Sequence, residues 1–408
     1  MDQIIRPDNS VLLFKLESPE GVDASPTAAD AFVFLKGGFS YNSPYKEETT
    51  NEATGSLVAG APQVVGQPAE ISISFVMKGA NAGYTASVKP PHHALLSACG
   101  MRGVFQAAIA AAALTAGSAT SATLGTGFGS TAQAYCGMPL VFTAGANSGR
   151  TSLISDYTAG KVATLVDSFT TALDNTHGAS IPANWTYAGT SPQDAAARAT
   201  DHPSGTLYIY EDGTLLKYVG CRGVITEWGG DTAKPGQMTV KLLGIFAGKV
   251  DAAVPAVTLP LHLPPILVQG VGRLDPAFLV NRKGLPIDKW ALAANAESES
   301  PGDPNTNWGF GSAIIGGRGP RLECDPKSTL VATRDILAEI GAFNQYTGAI
   351  RAMGSANNRW GITLPLLQPV APDPGTSGSL RTEQQRYAVL SHGKDSNGRD
   401  GDAILSFW

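Results

Sequence analysis

Apolar and polar residues alternate along much of this chain with the two-residue period of half-buried β-strands. In Glu70-Ile71-Ser72-Ile73-Ser74-Phe75, Ile71, Ile73 and Phe75 fall on one face and the serines on the other. Strands are likewise expected in 31–36, 206–210, 214–219, 221–228, 237–247, 360–364 and 386–390, and 11–16 is an apolar stretch. Asp212-Gly213 separates two of these runs and is a favoured pair for a two-residue hairpin turn. Pro235-Gly236 marks a further turn, and 395–401 reads as the turn of a last hairpin into 403–408. Helical spacing is rare. Pro90-Pro91 opens and Gly100 closes one short helix with Leu95, Leu96 and Cys99 inward. A second helix is expected over 333–343, with Thr333 as N-cap and Ile336, Leu337 and Ile340 on one face.

This order of elements divides the chain. Residues 45–66 form a long connection with few apolar residues at its start, and connections of that length are commonly functional. Tyr45, Lys46, Glu47, Glu48, Thr49, Thr50, Asn51 and Glu52 are therefore the candidate interaction residues. Between 112 and 190 Thr, Ser, Ala and Gly dominate, and short strands at 122–124, 139–142, 150–155 and 161–165 suggest a small all-β module. The earlier pattern resumes afterwards, so 1–111 and 191–254 read as one discontinuous domain. A proline-rich linker, 255–265, leads to a second domain, 266–408. Strands, one short helix, then strands occur in both domains, which reads as an internal duplication.

Composition narrows the function classes. Charged residues are 15% of the 408, below the usual share of about 25%, so much polar surface is uncharged or covered by neighbouring subunits. The net charge of −5 and the short, Gly-broken basic run near Arg318 and Arg321 argue against specific nucleic-acid binding. Cys99, Cys136, Cys221 and Cys324 are scattered, without a CxxC pair, and are expected as buried free thiols. The start, Met-Asp-Gln-Ile-Ile-Arg, has no signal-peptide character, and the apolar run 104–114 is shorter than the roughly 20 residues a bilayer requires. Folding in a cytosol without membrane insertion is expected.

The search for chemistry finds little. His92, His93, His177, His202, His262 and His392 have no metal-ligand spacing, and adjacent His92 and His93 would diverge on a helix. The segment 395–406 lacks the glycine and the bidentate carboxylate of a calcium loop. Gly125-Thr126-Gly127-Phe128-Gly129 has no lysine and no following helix, unlike a phosphate loop. No nucleophile elbow is present. The expectation is a non-enzyme without cofactor or metal.

The order of parts resembles the tail tube proteins (major tail proteins) of tailed bacteriophages. Glu47-Glu48-Thr49-Thr50-Asn51, the strand 70–75, the helix ending Leu95-Leu96-x-x-Cys99-Gly100, Gly220-Cys221-Arg222-Gly223-Val224, Pro235-Gly236-Gln237 and Gly244-Ile245-Phe246 carry the likeness. The section 112–190 resembles a Ser/Thr/Gly-rich β-module of phage structural proteins, through Tyr135-Cys136-Gly137-Met138 and Ile154-Ser155-Asp156-Tyr157. The resemblance implies a mainly β fold: tandem tail-tube-type β-sandwich or split-barrel domains, each flanked by a short helix, with the module projecting as a dispensable decoration. It implies a virion tail subunit, assembled in the host bacterial cytoplasm, whose stacked rings form the conduit for DNA ejection. The partners it implies are further copies of the chain, the tape-measure and other tail proteins, and DNA in non-specific passage. Two domains per chain favour a homotrimeric ring, with a homohexamer as the alternative. The loop from Tyr45 to Glu52 would reach the adjacent ring. Three other readings remain: a different virion part, such as a tail terminator or capsid-associated protein; a carbohydrate-binding module using Trp185, Trp228, Trp290 or Trp360; and, last, an enzyme of unrecognised type.

Overall fold

The alternating runs pair antiparallel into two copies of one six-stranded arrangement. The computed structural model describes all residues except 1–4, 7, 50, 51, 54, 56, 59, 270–274 and 307. The first copy contains β1 (Ser10–Leu16), β2 (Phe39–Tyr41), β3 (Ala69–Val76), β4 (Gly205–Glu211), β5 (Thr214–Asp231) and β6 (Gln237–Asp251). Helix α1 (His93–Ala98) lies between β3 and β4 in the chain. In space the strands run β1-β4-β5-β6-β3-β2.

The second copy contains β7 (Phe278–Val280), β8 (Lys289–Ala293), β9 (Arg321–Cys324), β10 (Tyr346–Ala352), β11 (Trp360–Ser377) and β12 (Leu380–Leu390). Helix α2 (Ile336–Gly341) lies between β9 and β10. The spatial order, β7-β10-β11-β12-β9-β8, is the same. Even an irregularity recurs. Gly205 faces Cys221 while Leu207 faces Tyr218, and Tyr346 faces Leu367 while Gly348 faces Leu364. A one-residue bulge at the same point of both copies supports duplication over chance similarity.

The halves are continuous. β8 pairs with the far end of β5, placing Trp290 opposite Gly230 and Lys289 opposite Asp231. One buried cluster crosses this joint, from Phe75, Trp228 and Val240 to Trp290, Trp360 and Tyr387. Residues 266–408, expected as a tandem unit, thus extend the sheet of the first copy. The 255–265 segment is a strap on that body: Lys78 Nζ donates to the carbonyls of Pro260 and His262, and His262 Nε2 donates to Gly79 O at 3.0 Å.

Several elements follow the sequence expectation. The β4–β5 turn has Glu211 opposite Thr214, with Asp212 at φ 41° and Gly213 at φ 107°, the left-handed conformation that this two-residue loop demands. Helix α1 buries Leu95 and Leu96.

Others differ. Residues 31–36 form no strand beyond a bridge between Ala31 and Leu13, because their alternation marks two aromatic anchors, Phe32 against His92 and Phe34 against Phe39. Helix α2 is shorter than 333–343, and its N-cap is Asp335, which accepts from Ala338 N at 3.0 Å. Of its expected inward face, Ile336 is buried and Leu337 exposed. A helix at Ala195–Asp201, capped by Asp194, was not anticipated. The strand Ile404–Phe407 pairs with β11 and with Asn184–Gly189, not with 386–390. The preceding loop folds around buried Arg399, which donates to Asp395 at 2.7 Å and to Thr186 O at 2.8 Å.

The module is a seven-stranded sheet from Ile109 to Ile181. Asn184–Gly189 lies outside it, pairing with Met101–Gln106 and Ile404–Phe407 in the main sheet. The module is clamped to the second copy. Fully buried Arg351 of β10 donates to both carboxylate oxygens of Asp167 at 2.8 Å and to Thr151 O at 3.0 Å. Arg150 donates to Asp275 at 2.8 Å and stacks 4.2 Å from the Phe169 ring. Leu153 and Val166 pack with Leu279, Ala349 and Trp408. Removing 112–190 would therefore strand Arg351 and delete a main-sheet strand, so dispensability does not follow.

Two predictions come from this core. Asp167→Ala should destabilise the chain by about 3–5 kcal/mol in urea unfolding, as expected for an uncompensated buried charge, while the double change Arg351→Met with Asp167→Leu should regain most of that loss. His92 is buried, donates from Nε2 to Val33 O at 2.8 Å and stacks on Phe75; burial lowers its pKa to about 4. The unfolded chain protonates it near pH 6.5 and the folded chain does not, so stability should fall between pH 6.5 and 4, by about 3 kcal/mol from this group. Comparing that slope with His92→Gln isolates the contribution, and identical slopes would refute it.

Candidate interaction surfaces

Of the candidate residues, Tyr45–Glu48 lie in a strand and not in an open loop. Tyr45–Glu48 and Gln63–Gly66 pair as a two-stranded arm, Tyr45 opposite Gly66 and Glu48 opposite Gln63. Thr50 and Asn51 lie outside the described residues. Tyr45, Lys46, Glu47, Glu48, Thr49 and Glu52 are all exposed, as is Val64. Lys46 Nζ sits 2.8 Å from Glu48, leaving Glu47 and Glu52 without an ion pair among the described residues.

The base of the arm is well held. Gln67 Nε2 donates to Ser43 O at 2.7 Å and to Tyr45 O at 3.2 Å, and Gln67 N donates to Pro44 O at 2.9 Å. The Tyr45 ring lies 5.2 Å from Trp308, which lies 5.8 Å from Phe246 of β6. Gly66 is packed so closely there that an added Cβ would sit 2.8 Å from Trp308 O. Trp308 escaped the sequence reading because nothing in its turn-rich surroundings indicates a partner so far back in the chain.

A second surface was also missed. Leu330, Val331, Leu337 and Phe343, around α2, are exposed apolar side chains. Of these, Leu337 is expected on an inward face by its spacing, but α2 is too short to bury more than one turn.

A cleft of about 740 Å³ lies where the two copies meet, lined by Met101, Trp228, Leu292, His202 and Arg318 among others. Its polar groups are mutually satisfied. Arg318 donates to Asp400 at 2.6 Å and Asp402 at 2.9 Å, and His202 Nε2 lies 3.0 Å from Thr190 O. Arg318 is held by two carboxylates, so the residues just named offer no free cation to a ligand. Among the described residues no group of three His, Cys, Asp or Glu is placed to hold a metal.

His92 and His93 both serve α1: His93 Nδ1 lies 2.9 Å from Tyr187 Oη, and burial lowers its pKa to about 4. The four cysteines are buried and unpaired, and burial raises the thiol pKa of Cys99, Cys136 and Cys324 to about 12. Trp185, Trp228, Trp290 and Trp360 are buried, so none offers a ring face for a sugar.

Comparison with protein-family models and with curated protein sequences finds no match.

If Trp308 is what seats the arm, Trp308→Ala should accelerate protease cleavage within 45–66 while changing global stability by less than about 2 kcal/mol, since the half-buried ring belongs to no main cluster. Unchanged cleavage kinetics would show that the base hydrogen bonds suffice.

Proposed function

We propose that the chain is a structural subunit of a phage tail tube, stacking as rings into a conduit for DNA and carrying out no reaction. The observation that carries this reading is the way the two copies join. β8, at the edge of the second copy, adds to the far end of β5 in the first. That joint is heterologous, because two different surfaces meet, and repeating such a joint between chains generates a ring or a filament.

The corresponding edge of the first copy is β2, paired on one side to β3. The strand corresponding to β5 is β11, whose far end, Gly375–Ser377, pairs among the described residues with β12 alone. β2 of one chain on the end of β11 in the next would repeat the internal joint. With two copies per chain, three chains give six equivalent units per ring; six chains are the alternative. The arm supplies a projecting element for contact between rings. DNA transit is passive on this reading, favoured by a chain of net charge −5 that has no extended basic tract.

A tail terminator would share the ring but not the stacking, and the arm is what favours stacking. Negative-stain electron microscopy of the concentrated protein should show rings and tubes. Isolated rings that never stack would indicate the terminator reading, and a monomer persisting at the highest attainable concentration would refute both.

A further inference from the structure

We propose that the apolar face around α2 is the seat for the arm of a second copy of this chain. The two helices of the duplicated units differ in what covers them. Beside α1 lies a layer formed by one end of the main sheet, Met101–Gln106 paired with Asn184–Gly189, which pairs in turn with Ile404–Phe407. His93 meets Tyr187 Oη of that layer at 2.9 Å, and its ring lies 5.2 Å from the Trp185 ring. Helix α2 occupies the equivalent place and packs on β11, but among the described residues no strand pair lies over it. Its surroundings stay open: Leu330 is 80% exposed, Val331 72%, Leu337 69% and Phe343 76%.

The first copy thus indicates what fits there, paired β-strands presenting apolar or aromatic side chains. The chain carries an element of that kind, held at its base by Trp308 and with the strand Tyr45–Glu48 exposed throughout. The arm, Tyr45–Glu48 with Gln63–Gly66, exposes Val64 at 66% and also Leu57 in its connection. Charge agrees with the match. Glu47 and Glu52 of the arm have no ion pair among the described residues, and exposed Arg381 borders the seat, its backbone carbonyl accepting from Ser328 N at 2.9 Å. Leu380 beside it is exposed as well. Arm and seat are different surfaces, so their union is head-to-tail and propagates in one direction. This assignment rests on the stacking-subunit reading and names the surface that stacking uses.

Cross-linking tests it. The native thiols are buried, so an introduced surface cysteine reacts without competition. Val64→Cys and Leu337→Cys chains are prepared separately, mixed and oxidised under assembly conditions. The mixture should give a covalent dimer on a non-reducing gel that neither variant gives alone. Because Leu337 is exposed, Leu337→Glu should fold with an unchanged melting temperature and raise the concentration at which tubes form by about tenfold or more. If wild-type tubes form while the mixed variants do not cross-link and Leu337→Glu stacks normally, the seat is wrong and the stacking reading survives. If the wild-type chain never assembles, both fall together.

Discussion

The joint between β8 and β5 is the constraint on which the rest of the structure depends. β5 is 18 residues long, and β4 covers only its first half. Its last three residues, Gly229–Asp231, would be an exposed edge if β8 did not add to them. Addition there aligns the two helix-bearing copies in one sheet and lets Trp228, Trp290 and Trp360 share a core. The β-module then closes onto β10 through Asp167 and Arg351, so that three segments distant in sequence hold one another. Buried charges of this kind contribute less to net stability than to fixing a single arrangement, since any other docking would leave Arg351 unpaired.

How much of this was legible in the sequence depended on whether an element buries one face. β3 was plain because Ile71, Ile73 and Phe75 are buried while Ser72 and Ser74 are less so. The Asp212-Gly213 turn was plain because its chemistry is local. Asn184–Gly189 was assigned to the module because all six residues are buried, which erases the two-residue period. The arm strand Tyr45–Glu48 fails in the opposite way: every residue is exposed, so no period exists to read. The pairing of β8 with β5 is a choice among edges almost sixty residues apart, and no local pattern encodes it. The apolar face at α2 was read as core because Leu337 follows helical spacing, and spacing alone does not say whether anything lies above it.

The edges of the sheet restrict which strands can add to it. Beyond its pairing with β10, β11 carries Pro369, Pro372 and Pro374, residues that cannot donate to a neighbouring strand. β6 runs past its partner β3 into a segment bearing exposed Lys249. Both are devices that keep a free edge from recruiting strands indiscriminately. What they leave open on β11 is Gly375–Ser377, as long as the Gly229–Asp231 stretch that β8 occupies on β5. On the proposed reading, an edge restricted to three residues cannot by itself hold two chains together. Ring contacts must then be reinforced by side-chain surfaces, and stacking by the arm, which fits a subunit that folds alone and assembles when concentrated.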